Sequence, residues 1–332
     1  MGQFFHYAFV PALNKKTSPL AVTGMLARDN NKLPAAQRSL RYAVAGFTEA
    51  EVLLASGIDA ALILLPNQLH FETTKRALEN GLHVFCEKPL ANTVAEALTL
   101  KAIAQKSNRV LMVDFNQRFL DRNRVLRQTI AENRLGQLVS VHAFHNQDLR
   151  PLKSFAPLHR DRTGGGVLHN AGIHFINLFL HWFGEVERVR AVFENRALPV
   201  ECGEDTAHCE LWFRSGLRAT LDASLAGAVD STYERVQFLG TEGEMNSDLK
   251  RSEIFCQLRG RRKLKIPCAP EIISDSVFQA LNHFAGCVRH STPPETGADD
   301  FIQTLKVIEA LTLSARRGAE VRLDEIEKKY AC

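Results

Sequence analysis

The sequence predicts a doubly wound parallel α/β sheet, followed by an α+β unit with a mostly antiparallel open sheet. Three observations predict this. Over the first third of the chain, apolar runs of strand length alternate with helical segments. After about residue 120 the runs alternate apolar and polar residues instead, as in a sheet with one covered face. The 332 residues also exceed one compact core and suit two. The expected division is 1–118 and 119–332.

The elements follow in order. "PLAVTGML" (19–26) is a β-rich run. Residues 48–56 read as a helix opened by a capping box, Thr48 with Glu51. "DAALILL" (59–65) is continuously apolar, as a buried parallel strand is, and Pro66 and Asn67 stop it. A helix runs to Asn80, with Gly81 as its stop. "LHVFC" (82–86) is the next strand, and 93–105 a helix with a second capping box, Thr93 with Glu96. "RVLMVDF" (109–115) is another strand. A helix over 121–134 ends at Gly136. Alternating strands follow at 138–145, 186–194, 206–213, 217–225 and 234–240. Helices are expected at 168–183, 274–290 and 298–317, the last closed by "ARRG" as the helix dipole favours.

Composition narrows the function. A net charge of +4 is too small for a nucleic-acid footprint. The densest basic run, "RGRRKLKI" (259–266), sits among alternating residues and reads as the solvated tip of a hairpin. The seven cysteines are odd in number and contain no CxxC pair, so neither a zinc ribbon nor a disulfide framework is suggested. Reduced thiols and a cytoplasmic location are expected, with no metal and no membrane partner. No apolar run approaches the roughly 20 residues that a membrane span needs.

Three clusters carry candidate chemistry. In "LLPNQLHFE" (64–72), Asn67 and His70 follow an apolar strand, where open α/β sheets bind ligands. Alone, this stretch reads equally as a Pro-Asn turn with an exposed histidine. In "VFCEKPLAN" (84–92), a strand runs straight into Glu87, Lys88 and Pro89. An ammonium there can hydrogen-bond or protonate a developing alkoxide; the alternative is an ordinary strand exit with a solvated lysine. In "TGGGVLHNAGIHFINLFLHWFG" (163–184), the glycines leave room for close backbone approach to a ligand. Asn170 and His174, four apart, share a helical face, and the histidine is a candidate general base. The alternative is a flexible loop and a packing helix.

Together these clusters resemble the Gfo/Idh/MocA oxidoreductase family. "DAALILLPNQLHFETTKRALENGLHVFCEKPLA", "MVDFNQRF" and "GGGVLHNAGIHFINLFLHWFG" are similar to its motifs. "EDTAHCELWFRSGLRATL", "FLGTEGEM" and "ADDFIQTLKVIEALTLSARRG" follow in the family's order. The resemblance implies a Rossmann domain, a nicotinamide cofactor and a second domain whose open sheet makes a homodimer or homotetramer. It implies hydride transfer to or from a hydroxyl or ketone of a sugar- or cyclitol-like substrate. Lys88 would contact the reacting oxygen and His174 would be the acid/base, with Asn170 beside it. Cofactor contacts are implied for Gly2, Ala27, Arg28, Pro66, Asn67, His70, Glu87, Lys88 and Asn116. The family also holds nicotinamide-dependent glycosidases and a non-catalytic cofactor-binding regulator, and these are the rival readings.

Two departures stand out. The family's aspartate four residues before the histidine is Asn170, and its second aspartate is Asn177. Asparagine keeps hydrogen bonding but carries no charge. Both changes remove negative charge from the helix, which suits an acidic or phosphorylated substrate better than a cationic one. The strand "AVTGML" exits into Ala27-Arg28-Asp29; a small residue followed by arginine fits a 2′-phosphate, so NADP is favoured over NAD. Finally, "MGQFFHYAFVPALNKK" looks like a helix already under way. In the family's register Gly2 is the third glycine of GxGxxG. The first strand and two phosphate-approaching glycines are then expected upstream, leaving this Rossmann fold N-terminally truncated.

Overall fold

The computed structural model describes residues 4–27, 31, 33–150, 165–198, 203–227, 232–248, 251–270 and 272–330. The chain divides into two compact units, Met1–Leu120 with Glu271–Phe301, and Asp121–Pro270 with Ile302–Cys332. The first crossing lies close to the expected boundary. The return of 271–301 to the first unit was not expected. Its cause is a helix whose apolar face, Val277, Ala280, Leu281, Phe284 and Cys287, belongs to the first unit's core.

In the first unit a widely wound helical segment, Phe5–Phe9, continues into α1 (Val10–Leu13). Then come β1 (Gly24–Leu26), α2 (Leu33–Ser39), β2 (Ala45–Phe47), α3 (Ala50–Leu54) and β3 (Ala60–Ile63). They are followed by α4 (His70–Glu79), β4 (His83–Glu87), α5 (Val94–Lys106) and β5 (Leu111–Asp114). All pairing among these strands is parallel, as the apolar runs predict. The expected single sheet is in two pieces, β1-β2 and β3-β4-β5, with β1 paired only to β2 and β3 only to β4. The run at 19–26 pairs only over Gly24–Leu26.

Local signals held where nothing competed for them. Thr93 caps α5 in the expected box: its hydroxyl accepts from the Glu96 N–H, and the Glu96 carboxylate accepts from the Thr93 N–H at 3.1 Å. The box expected at Thr48 is absent. The helix starts at Ala50 behind an extended Glu49, and Glu51 pairs instead with Arg76 of α4. An aromatic column holds the layers together: Phe9 meets Phe85 edge-on at 6.2 Å, and Phe85 meets Phe284 at 5.6 Å. Each such burial contributes about 1.5–3 kcal/mol.

The second unit begins with α6 (Asp121–Ala131) and β6 (Leu138–Asn146). A second widely wound segment, Leu168–Gly172, leads into α7 (Ile173–Phe183). Next are β7 (Val186–Glu194), β8 (Thr206–Phe213), β9 (Arg218–Ser224), β10 (Tyr233–Gly240), β11 (Gly243–Asp248), β12 (Glu253–Leu258) and β13 (Leu264–Ile266). The chain closes with α8 (Ile273–His290) of the first unit, α9 (Ala298–Arg317), in which the division falls, β14 (Val321–Arg322) and α10 (Leu323–Lys329). Nine strands form one sheet in the order β13-β12-β11-β10-β6-β9-β8-β7-β14, antiparallel except for β6 against β9. The basic run does form the β12–β13 hairpin tip. One sheet face is covered by α7, with Trp182 on Phe238 at 5.8 Å and Phe183 on Phe213 at 5.4 Å. The other carries Arg190, His208, Glu210, Thr220 and Asp222. Among the described residues no helix is long and apolar enough to cross a membrane.

Candidate active site

Each unit carries its own part of the predicted chemistry. In the first, the carboxyl ends of β3, β4 and β5 come together. Parallel pairing sets Glu87 of β4 directly beside Asp114 of β5, and Ile63 beside Cys86. Lys88 follows at the β4 exit, joined to Pro89 by a cis peptide. Lys88 and Glu87 are half-buried, whereas Asp114 is 0 % exposed and Asn116 2 %.

The electrostatics of this cluster follow from loss of water. Removal from water lowers the Lys88 pKa below the ordinary lysine range, against the opposing pull of Glu87 and Asp114. Burial raises Glu87, with Lys88 and His70 acting against it. Burial and the neighbouring Glu87 push Asp114 well above the usual carboxylate range. Glu87 and Asn116 lie next to Asp114, but neither forms a well-aligned hydrogen bond to its oxygens.

His70 is 1 % exposed, so the exposed-histidine alternative is set aside. Its Nδ1 lies 2.6 Å from the Pro89 carbonyl and its Nε2 2.7 Å from the Leu65 carbonyl. It thus ties the β3 exit to the β4 exit and braces the loop that carries Lys88. Pro66 is exposed and Asn67 half-buried at the β3 exit. Ala27 follows β1, its N–H bonded to the Phe47 carbonyl at 3.2 Å. Gly2 and Arg28 lie outside the described residues.

A dinucleotide fits these strand ends on one specific ground. Asn116 Oδ1 is buried and receives no hydrogen bond from the described residues, so it can accept one from a ribose hydroxyl or a carboxamide.

In the second unit the glycine triplet has a different use from the one expected. A Cβ on Gly166 would come 2.0 Å from the Glu204 carbonyl oxygen, so the close backbone neighbour is the protein's own. Val167 N–H donates to that carbonyl at 2.7 Å, and Leu168 N–H donates to the Glu204 carboxylate at 3.1 Å. Burial raises the Glu204 pKa, with the Leu168 N–H opposing it. Gly164 lies outside the described residues. Glu204 therefore anchors the helical segment that leads into His174 and carries Asn170. Because Leu168–Gly172 is wound more widely than an α-helix, the even four-residue spacing assumed for Asn170 and His174 does not apply there.

Asn177 does not share the exposed side of this helix. It is 1 % exposed, and its amide donates to the Thr304 hydroxyl of α9 at 3.0 Å. The charge argument for an acidic substrate loses one of its two residues, since an aspartate at that depth would meet α9.

Comparison with known proteins decides the family. Residues 1–115 match the model described as "Oxidoreductase family, NAD-binding Rossmann fold", and residues 123–246 match the "GFO/IDH/MocA C-terminal domain". The chain belongs to the Gfo/Idh/MocA family. An uncharacterized oxidoreductase of Bacillus subtilis (strain 168), YrbE, is 32 % identical over 280 residues, 82 % of this chain and 80 % of its own. A myo-inositol 2-dehydrogenase of Thermotoga maritima is 27 % identical over 288 residues, 83 % of each chain. The solved aldose-aldose oxidoreductase of Caulobacter crescentus, complexed with glycerol, superposes with a TM-score of 0.79 at 26 % identity over 91 % of each chain. As a Gfo/Idh/MocA protein this chain is an NAD(P)-dependent oxidoreductase, and its parallel β3-β4-β5 sheet and large, mostly antiparallel sheet are the family's fold.

Two groups escaped the sequence reading. Asp114 is a lone acid ending an apolar strand run, which was a visible signal. His145, 3 % exposed, bonds Glu234 at 3.1 Å and lies against Phe175 with ring centres 6.0 Å apart. It occupies an inward position in the alternation of β6, after Val141 and Ala143, where an apolar residue is expected.

Proposed function

We propose that this Gfo/Idh/MocA protein moves a hydride between NADP(H) and a hydroxyl-bearing or ketone carbon of a sugar- or cyclitol-like substrate. The observation that carries this reading is Lys88. It sits at the carboxyl end of a central parallel strand, and withdrawal from water has lowered its pKa. The substrate class follows the relatives that act on myo-inositol and on aldoses.

The bound nicotinamide would supply the hydride chemistry, and Asn67, Glu87, Lys88 and Asn116 would hold it. The remaining work falls to side chains. The Lys88 ammonium hydrogen-bonds the substrate oxygen and stabilises the negative charge that develops there. Its lowered pKa also makes it a better proton donor than an ordinary lysine. His174 stands where the family pattern has its acid/base, and Asn170 where it has an aspartate, so no charge is available beside that histidine. His70 keeps the Lys88 loop in place through the Leu65 and Pro89 carbonyls. NADP is favoured over NAD because a small residue and then an arginine, Ala27-Arg28, follow β1. The open sheet face, on which Val192 is 52 % exposed, suits a homodimer or homotetramer.

Fluorescence titration with NADPH and NADH, followed by turnover on a panel of sugars and cyclitols, tests the reading. Tighter NADPH binding, and turnover at saturating cofactor that falls at least about a hundredfold in Lys88→Met, support it. Cofactor binding with no turnover on any member would favour the non-catalytic regulator, and tighter NADH binding would reverse the cofactor assignment.

A further inference from the structure

Asp114 is fully buried, and no described residue donates a well-formed hydrogen bond to either of its oxygens. Parallel register puts Glu87 beside it on the same sheet face. This acidic pair lies two residues beyond the Phe85–Met112 pair, which is packed in the aromatic core. Two carboxylates so placed cannot both ionise without large cost, because Asp114 is out of water and no aligned donor meets its oxygens. The titratable groups around them are Tyr7 of the first helical segment, His70 of α4, and Cys86 and Lys88 of the β4 end. Asn116 is the polar neighbour beyond β5. Burial keeps the Cys86 thiol uncharged and the Tyr7 pKa is raised, so Lys88, with His70 on the Glu87 side, is where the charge of the pair acts.

We propose that Glu87 and Asp114 hold one proton between them and that this proton sets the charge of Lys88, which makes Asp114 a positioning residue for hydride transfer. With one proton the three groups sum to zero charge. When Lys88 gives its proton to a substrate alkoxide, the amine regains one from solvent, drawn by the single negative charge that the carboxyl pair keeps. Oxidation of an alcohol runs the same transfers in reverse. The catalytic consequence rests on the function proposed above; the shared proton does not.

Urea unfolding of the full chain, wild type and Asp114→Asn, from mildly acid to mildly alkaline pH separates the two. The wild-type midpoint is expected to fall with rising pH relative to that of the variant, since unfolding then lets Asp114 release a proton that the folded state retains. Infrared spectra of the wild type at neutral pH are expected to show a protonated-carboxyl band that Asp114→Asn lacks. A variant with the wild-type pH slope, or a wild type without that band, overturns the shared proton. Should Asp114→Asn fail to fold, Glu204→Gln decides the matter: the band must persist without that second buried carboxyl, and its loss overturns the shared proton. On any substrate turned over, the alkaline limb of kcat for Asp114→Asn should move about one unit toward lower pH, because the variant lacks the second negative charge that would hold the Lys88 proton. An unmoved limb beside a changed stability profile overturns the control of Lys88. Absence of turnover in the wild type counts against the proposed function and leaves the carboxyl pair intact.

Discussion

Two aspartates, one in each unit, are buried to nearly the same degree: Asp114 is 0 % exposed and Asp205 1 %. Their surroundings drive them in opposite directions. Asp205 accepts backbone N–H bonds from Arg196 at 2.9 Å, Ala197 at 2.7 Å and Leu198 at 2.8 Å, and a hydroxyl bond from Thr206 at 2.9 Å. Burial pushes its pKa up, but these donors outweigh burial and hold it below the usual carboxylate range. Asp114 has no such donors and a second carboxyl beside it, and it is pushed above that range. Depth in the protein therefore does not decide the charge of a carboxyl. The donors that meet it do. The second unit uses its aspartate to fix a loop, and the first leaves its own free to exchange a proton.

Several measurements test this contrast. The largest effect should come from Lys88→Met, which takes the ammonium away from the first region. We expect kcat/KM to fall about a hundred- to ten-thousand-fold, read by steady-state kinetics. Asp205→Ala strips three N–H groups and a hydroxyl of their acceptor and should cost about 3 kcal/mol in chemical denaturation. A loss as small as that of a surface substitution would show that the loop after β7 does not depend on it.

The pH dependences should differ in sign. Asp205, with a lowered folded-state pKa, contributes stability that is present above the ordinary carboxyl range and lost as pH falls through its lowered value. Asp114, with a raised one, contributes stability that is present at acid pH and lost as pH rises from the ordinary range through its raised value. Urea midpoints of the wild type, Asp205→Asn and Asp114→Asn across pH should therefore diverge on the acid side for the first variant and the neutral side for the second. At neutral pH, Asp114→Asn should gain about 1 kcal/mol, since the amide carries no charge to desolvate. The smallest contrast is between two threonines. Thr93→Ala should cost about 1 kcal/mol through its capping box, while Thr48→Ala should change thermal stability little.

Much of the first unit was legible residue by residue. The apolar runs before Pro66 and Glu87 announced buried parallel strands, and Thr93 with Glu96 announced a cap. These signals are local: each depends on neighbours within one turn or one strand. Lys88 could be placed at a strand end for the same reason. The expected use of the glycine triplet failed because its partner, Glu204, is 38 positions from Gly166, and nothing near the glycines names it. His70 was assigned toward cofactor because its bonds to the Leu65 and Pro89 carbonyls depend on two strand exits meeting.

By itself, the sequence determined the order of strands and helices, the two architectures and the lysine and histidine motifs, because hydrophobic period and capping act over a few residues. Only the tertiary structure decided that α8 returns to the first unit, that Asn177 belongs to Thr304, and that Asp114 stands beside Glu87. Which strand lies next to which, and in what register, is settled by packing of whole elements. A carboxyl's charge then follows from the donors that this packing brings or withholds.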